Sequence, residues 1–427
     1  MADNNLHPAE TTQPFSMQRE LPLLHGQISL STALVDDDNV LQELSYPDQR
    51  FEFYVYLYQS RAVIESIVSY HMNLNKKQTC HVGEVKEWMT GSFNVCILVD
   101  IDGQDDNAPK RVLIRFPLPY KVGEIQHPGN ADEKLRCEAA TFIWIRQNCP
   151  SIPMPRLWGF AFAQGPCFTA IQQTPVFSRL QWDLTYSTSD SYFMDMLSYH
   201  DSRLRHAPNS IRDKADGEAQ LSTLTIMRAL LPHFSHRDYR RGPFIMTLTD
   251  LHQSNLFVDS DWNIKSLVDL EWTCSLPVEM LHPPYWLTSR GVDQLYKGGH
   301  LDAFSEIHAE FMNVFEEEEQ ARSRVWGKAI GLTSIMRKGW EMGNFWYFHA
   351  LETPKGLYNI FLEHIQPRFS KLDDAGMVEF ERTISPYWAP DIQKFLDDKM
   401  KDKEIYEGHL RAAFTRRTIN SGPPAAS

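Results

Sequence analysis

Paired or clustered cysteines are missing from this chain. Its six cysteines (Cys80, Cys96, Cys137, Cys149, Cys167 and Cys274) are scattered through 427 residues, with no C-x-x-C pair and no His-rich run beside them. Neither a disulfide framework nor a zinc site is indicated by that pattern, and a reducing compartment is the simpler expectation. Clusters of basic charge are scarce as well. The 42 Lys and Arg are outnumbered by 55 Asp and Glu, for a formal charge of -13. Nucleic-acid backbones are bound by clustered cations, so no nucleic-acid partner is expected. No window approaches the roughly 18 uninterrupted apolar residues of a membrane span. The opening MADNNLHPAETTQPFSMQRE has no basic stretch followed by an apolar one, so it does not read as a secretory signal. The expectation is a cytoplasmic protein with no membrane partner. What is present is an ordinary globular composition, 42% apolar and 23% charged, enough to bury one large core or two coupled ones.

Residues 1–35 and 416–427 are polar and Pro-containing and read as disordered extensions. From Pro47 to about Asn75 the apolar residues Phe53, Leu57, Ile64, Ile67 and Val68 recur at helical spacing. Three strand-like runs follow, Val85 to Met89, Val95 to Asp100 and Arg111 to Phe116. Asn130, with Glu133 three residues on, reads as the N-cap of a helix running to about Gln147. Short strands at Trp158 to Phe162 and Phe168 to Gln172 would complete a first unit, residues 36–173. The remainder, 174–415, reads as helices near 192–206, 212–234, 300–324, 325–350, 355–366, 372–383 and 390–415. One hairpin region interrupts them: FIMTLTDLHQSNLFVDSDWNIKSLVDLEW, residues 244–272. There Leu256 to Val258 and Ile264 to Val268 flank the turn-rich DSDWN.

That hairpin carries the chemistry. Phosphoryl transfer needs a carboxylate to orient and deprotonate the attacking hydroxyl, and oxygen ligands to hold Mg²⁺ on the phosphates. Asp250, Asn255 and Asp269 supply such groups, Asp250 and Asn255 at D-x-x-x-x-N spacing and Asp269 at the end of the second strand. Taken singly, each is an ordinary turn or capping residue. TDLHQSNLFVD followed by IKSLVDLEW resembles the H-G-D-x-H-x-x-N and I-D-x-x signatures of the aminoglycoside phosphotransferase and choline kinase-like superfamily. The pattern GSFN, an Arg-centred third strand and DLEW resembles, more narrowly, a large fungal branch of phosphotransferase-family proteins. The likeness runs from about residue 50 to 400.

The resemblance implies an α+β, bilobal protein-kinase-like fold: an N-lobe with a small antiparallel sheet and a larger, mainly helical C-lobe. It implies ATP and Mg²⁺ as cofactors and transfer of the γ-phosphate to a hydroxyl of a small-molecule substrate. Asp250 would be the catalytic base, and Asn255 and Asp269 the metal ligands. In the strand RVLIRFP, period-two alternation puts Arg111, Leu113 and Arg115 on one face. Arg115 stands where the family carries a phosphate-binding Lys. Glu138, within the stripe Leu135, Ala139 and Phe142, would be its ion-pair partner, since a carboxylate on an apolar face needs a cation. Gly91 and Ser92, in the turn before that strand, are expected to face the nucleotide phosphates. His252 reads as a hydrogen-bonded structural residue and Glu271 as a solvated or salt-bridged one.

The sequence departs from the family pattern in three places. Leu248 replaces the His two residues before the catalytic Asp and would brace the loop by packing. Arg replaces Lys at position 115, and the turn at Gly91 holds a single glycine. The connection FTAIQQTP lacks the apolar-Glu-aromatic pattern of an adenine-binding hinge. These departures keep a catalytically weak or inactive nucleotide-binding relative as the alternative. A protein kinase is disfavoured, because the sequence after Asp269 leaves little room for a peptide-gripping segment of roughly 20 to 30 residues.

Overall fold

The computed structural model describes residues 19–103, 110–162, 185–326 and 331–416. The expected strand at 168–172, the FTAIQQTP connection and the boundary at 173 lie outside the described residues, as do residues 1–18 and 417–427. The chain is α+β, with small antiparallel sheets and a majority of helix. Among the described residues no helix is long and apolar enough to cross a membrane.

The strands are β1 (Glu20–Pro22), β2 (Gln27–Ser29), β3 (Thr79–Val82), β4 (Met89–Thr90), β5 (Asn94–Asp102), β6 (Arg111–Pro117), β7 (Phe244–Leu248), β8 (Leu256–Val258), β9 (Ile264–Leu267) and β10 (Thr273–Pro277). Strand β5 is the spine of the first sheet. Strands β3 and β4 pair with successive parts of one edge and β6 with the other, all antiparallel. Alternation along β5 buries Val95, Ile97, Val99 and Ile101 on one face. They pack against Leu57 of the helix Tyr46–Gln59 and Ile64 and Val68 of the helix Arg61–His71. The opposite face turns Cys96 and its cross-strand neighbour Arg115 toward the rest of the chain.

Several expectations need correction here. Residues 85–89 do not form a strand. Val85–Glu87 is a 3₁₀ turn closed by a reciprocal Glu84/Glu87 capping box, and only Met89–Thr90 pairs with β5. No strand forms at Trp158 to Phe162. Residues 19–35 are ordered, not an extension. Gly26, at φ 80°, turns β1 back on β2, and Leu21, Ile28 and Ala33 pack against Tyr406, Leu410 and Phe414 of the last helix, Ile392–Arg416. Arg19 adds a hydrogen bond to the Phe414 carbonyl (2.6 Å). The apolar alternation at 21–30 is too short to signal a strand by itself, and its partner lies almost 400 residues away.

The helical part is built on Ser189–His206 and Lys214–Phe234. Phe193, Leu197 and Leu204 of the first meet Leu221, Leu224, Met227 and Leu231 of the second, in i, i+3, i+4 steps. Asp213 caps the second helix by accepting the Asp216 amide (2.9 Å). The expected 325–350 helix is two pieces, Leu332–Met342 and Asn344–Glu352, broken at Gly343 with φ 90°. Phe345, Trp346, Tyr347 and Phe348 of the second piece are core residues, with Tyr347 stacked on Phe234 at 4.3 Å. An unbroken apolar run in a helix means burial on every side, which is why this segment lies in the middle.

Glu279, on the turn after β10, is 5% exposed and accepts hydrogen bonds from the His236 amide (2.8 Å) and the Ser235 hydroxyl (3.3 Å). Burial nevertheless pushes its carboxyl up to about 7, from an ordinary 4.5. A carboxyl that holds its proton more tightly in the folded state stabilises the fold below its unfolded value. That contribution is lost as pH rises through the folded value. The unfolding free energy should therefore fall by roughly 3 kcal/mol between pH 4.5 and 8 on account of this group. Urea titrations across that range should show the slope in the wild type and a flatter profile in Glu279→Gln. An identical slope in both would place the proton elsewhere.

Candidate functional site

The loop TDLHQSN is held by its own residues. Asn255 Nδ2 donates to the Asp250 carbonyl (2.9 Å), so the D-x-x-x-x-N segment closes on itself. His252 caps the short 3₁₀ turn Gln253–Asn255 by accepting the Ser254 amide, and its ring lies 5.8 Å from that of Trp286. Below the loop, Leu248, Leu251 and Leu256 pack with Leu267, Leu270 and Ile145. Leucine at 248 thus braces the loop through packing. Strand β9 pairs antiparallel with β8, and the Val268 amide donates to the Asn255 carbonyl (3.1 Å), which brings position 269 back beside Asn255. Asp269 itself takes a left-handed conformation, φ 63°, which Asp tolerates better than most residues. The chain then enters β10, which pairs with β7 from Thr273 opposite Leu248 to Pro277 opposite Phe244. Both ends of the hairpin are clamped by one short sheet.

Opposite the hairpin stands Arg115. Its Nη1 donates to Glu138 (2.5 Å), and its Nη2 to Asp269 (2.5 Å) and Glu271 (3.0 Å). The expected pairing of Arg115 with Glu138 is formed, and the guanidinium extends it to the hairpin. Burial opposes a charge there, but Glu138, Glu271 and Asp269 outweigh it and hold Arg115 firmly protonated. Arg115→Ala should lower stability by roughly 3 kcal/mol, the scale for removing one partner of a buried ion pair. Lysine, with one compact ammonium, should restore only part of it. Thermal melts of both variants test this; a wild-type midpoint in the alanine variant would make the cluster a surface ornament.

Two residues of this site escaped the sequence reading. Lys134, with its side chain only 3% exposed, donates from Nζ to Glu271 (2.6 Å) and to Asn94 Oδ1 (2.8 Å). Asn94 in turn donates to Glu271 (2.9 Å). Glu271 is therefore no solvated carboxylate: at 2% exposure it is the buried hub joining Arg115, Lys134 and Asn94. The helix is Asn130–Asn148, and its buried positions are Lys134, Ala139, Thr141 and Ile145, with Glu138 in line. The face lies rotated from the Leu135, Ala139, Phe142 stripe. Spacing i, i+4 from Lys134 to Glu138 was visible, but a lysine is not an obvious core residue. The N-terminus of this helix is also capped differently from expectation. Glu124 accepts the amides of Gly129 and Ala131 (2.7 Å each), and Asn130 turns its side chain to the Val122 carbonyl.

The GSFN turn meets the DLEW segment directly. Asn94 reaches Glu271, and Phe93 packs edge-on against Trp272 at 5.3 Å. Gly91 has ordinary negative φ, and a Cβ on it would find only the Asn94 carbonyl, at 3.8 Å. Room therefore exists over that turn for a phosphate to approach the backbone, and Ser92 is exposed beside it.

Among the described residues, the four carboxylates of Asp250, Asp269, Glu271 and Glu138 stand beside two permanent cations, Arg115 and Lys134, an excess of two negative charges. Among the described residues the Asp250 carboxylate takes no hydrogen bond or ion pair. Its pKa is raised by burial, then by Asp269 and Glu271. Asn255 Oδ1 has only a long contact from the Ser254 hydroxyl (3.3 Å), and one Asp269 oxygen is not engaged by Arg115. Two carboxylates and an amide oxygen in an electronegative site are hard donors of the kind Mg²⁺ takes. The residues present thus fit the ion. A separate cavity of about 510 Å³ lies elsewhere, lined by His236, Arg240, Glu279 and Lys338, and holds none of these groups. No family model matches the chain, and no curated protein or solved structure matches it.

Proposed function

We propose that this chain is an ATP-dependent phosphotransferase of the bilobal kinase-like fold, acting on a hydroxyl of a small molecule in the cytoplasm. The observation that carries the reading is the convergence of Asp250, Asn255 and Asp269 on one hairpin, with the Asp250 carboxylate left unpartnered. Mg²⁺, when bound, would neutralise charge on the phosphates of ATP, and Asn255 Oδ1 and Asp269 are the groups that would hold it. Asp250 orients the acceptor hydroxyl and takes its proton. Its raised pKa suits a base better than an ordinary aspartate would, because proton transfer is most effective when the base is not far weaker than the working pH demands. Arg115 restrains Asp269 and, with Lys134, keeps the crowded carboxylates from repelling one another apart. Gly91 and Ser92 provide the open turn over which phosphates would lie.

A protein kinase is disfavoured by the same hairpin. Strand β10 begins four residues after Asp269 and runs into the turn Val278–Met280, leaving no long segment to hold a peptide. One observation favours the inactive-relative reading: Arg115 is engaged by three carboxylates, one of them Asp269, and so is not a free phosphate clamp. A screen of metabolite extracts with γ-labelled ATP, wild type beside Asp250→Asn, separates the two. Label appearing on a small molecule only with wild type supports the phosphotransferase. Mg²⁺-dependent nucleotide binding without any transfer supports the inactive relative.

A further inference from the structure

Beyond Tyr285, outside the groups assigned to phosphoryl transfer, two histidines and a glutamate converge. His282 lies in the loop after the turn Val278–Met280, and His349 and Glu352 sit one turn apart on the helix Asn344–Glu352. The imidazole centres are 3.9 Å apart. His349 Nδ1 lies 3.5 Å and His282 Nε2 3.9 Å from the same carboxylate oxygen, Glu352 Oε2. One ligand atom from each of the three lies within 4.8 Å of the other two. The two contacts to the carboxylate are at or beyond the limit of a hydrogen bond, so the groups face one another without bonding well. The outer nitrogen of His349, Nε2, is buried and has no hydrogen-bond partner among the described residues.

As a purely structural cluster this is unfavourable. The inner nitrogens, His282 Nε2 and His349 Nδ1, face a shared carboxylate oxygen at distances too long for good hydrogen bonds, so polar groups buried there are poorly satisfied, and a shared cation would engage all three. We propose that His282, His349 and Glu352 form a site for a divalent transition metal of the zinc type, ligated by His282 Nε2, His349 Nδ1 and Glu352 Oε2. Two imidazoles and a carboxylate are a zinc donor set, in contrast to the all-oxygen set at Asp250. Tetrahedral zinc with bonds of about 2.0–2.2 Å places its ligand atoms roughly 3.3–3.5 Å apart. The His349–Glu352 pair already has that spacing, and His282, at 3.9 Å from Glu352 Oε2 and within 4.8 Å of the His349 ligand atom, must move inward to complete the set. Three protein ligands leave a fourth position for water or another donor. The ion would pin the loop after β10 to the buried helix, and with it Tyr285, whose ring packs edge-on against His349 at 5.4 Å. This inference is independent of the phosphotransferase reading.

The test uses the full chain, free of any purification tag and stripped with a chelator, titrated with Co²⁺ as a visible substitute for Zn²⁺. The expected result is one equivalent bound with the intense d–d bands of a low-coordinate ion, displaced by Zn²⁺ and not by Mg²⁺. Glu352→Gln and His282→Gln should each weaken uptake at least tenfold, whereas Asp269→Asn should leave the bands intact. Glu352 is partly exposed and glutamine matches its shape, so that variant is the one expected to stay folded, and circular dichroism of each variant checks this. Only the weak absorption of an octahedral, oxygen-ligated ion in the wild type would overturn the proposal. So would wild-type uptake by folded Glu352→Gln, or bands that vanish in Asp269→Asn.

Discussion

Asp250→Asn should lower the rate of phosphoryl transfer by roughly a hundredfold or more while leaving MgATP affinity nearly unchanged, and Asp269→Asn should lose both. The separation follows from what each carboxylate touches. Asp250 has no cationic or hydrogen-bonding partner for its carboxylate among the described residues, so removing its charge disturbs no structural contact. On the proposed reading it removes the proton acceptor, an effect that would appear in the rate and not in ground-state binding. Asp269 is held by Arg115 and borders the Asn255 backbone through Val268. On the proposed reading its neutralisation would withdraw a charged ligand from Mg²⁺ and free one guanidinium contact, so nucleotide affinity should fall with turnover. Calorimetric titration of MgATP into both variants, beside single-turnover rates on an accepted substrate, reads the two effects separately. Equal loss of affinity in both would make Asp250 a metal ligand or a structural residue. If the extract screen yields no substrate, the titrations still discriminate the roles in binding.

The second large effect concerns stability. Glu271→Leu should destabilise the fold by roughly 3–5 kcal/mol, because it strands Lys134 in the interior with Asn94 as its one remaining partner among the described residues. The partner test lies in the sign of the double variant. Lys134→Met placed on top of Glu271→Leu should recover part of the loss, since two apolar side chains of similar volume replace a buried ion pair more cheaply than one orphaned charge does. Denaturant titrations of the two singles and the double give the coupling directly. Losses that simply add would show that Lys134 and Glu271 do not depend on one another. The same cycle bears on function, because Asn94 of the GSFN turn bonds to both groups and would lose its register over the site.

The local geometry of the hairpin was legible in the order of residues. Turn-rich DSDWN between two apolar runs dictates β8 and β9, and D-x-x-x-x-N spacing brings the Asn255 amide back to the Asp250 carbonyl. Alternation along RVLIRFP placed Arg115 and Arg111 on one face of β6, opposite Val112, Ile114 and Phe116, which pack on the sheet's helices. Period-two and short-range spacing are backbone geometry, and backbone geometry needs no distant partner. The long helices of the second half were likewise set by 3.6-residue periodicity, apart from the break at Gly343, where a left-handed residue starts a new axis.

Other features depended on chain segments that meet only in three dimensions. The buried hub of Glu271, Lys134 and Asn94 joins positions 40 and 177 residues apart, and nothing local distinguishes Glu271 from a solvated glutamate. The β1–β2 hairpin is too short to stand alone in water and owes its order to the last helix. His282 meets His349 and Glu352 because the turn after β10 crosses the buried 344–352 helix, and no spacing in the sequence announces that crossing. Residue order by itself therefore determined which groups each short segment presents. Tertiary packing decided which of them share a low-dielectric interior, and so which charges had to find one another, because an unpaired ion is tolerated in water and not in a core.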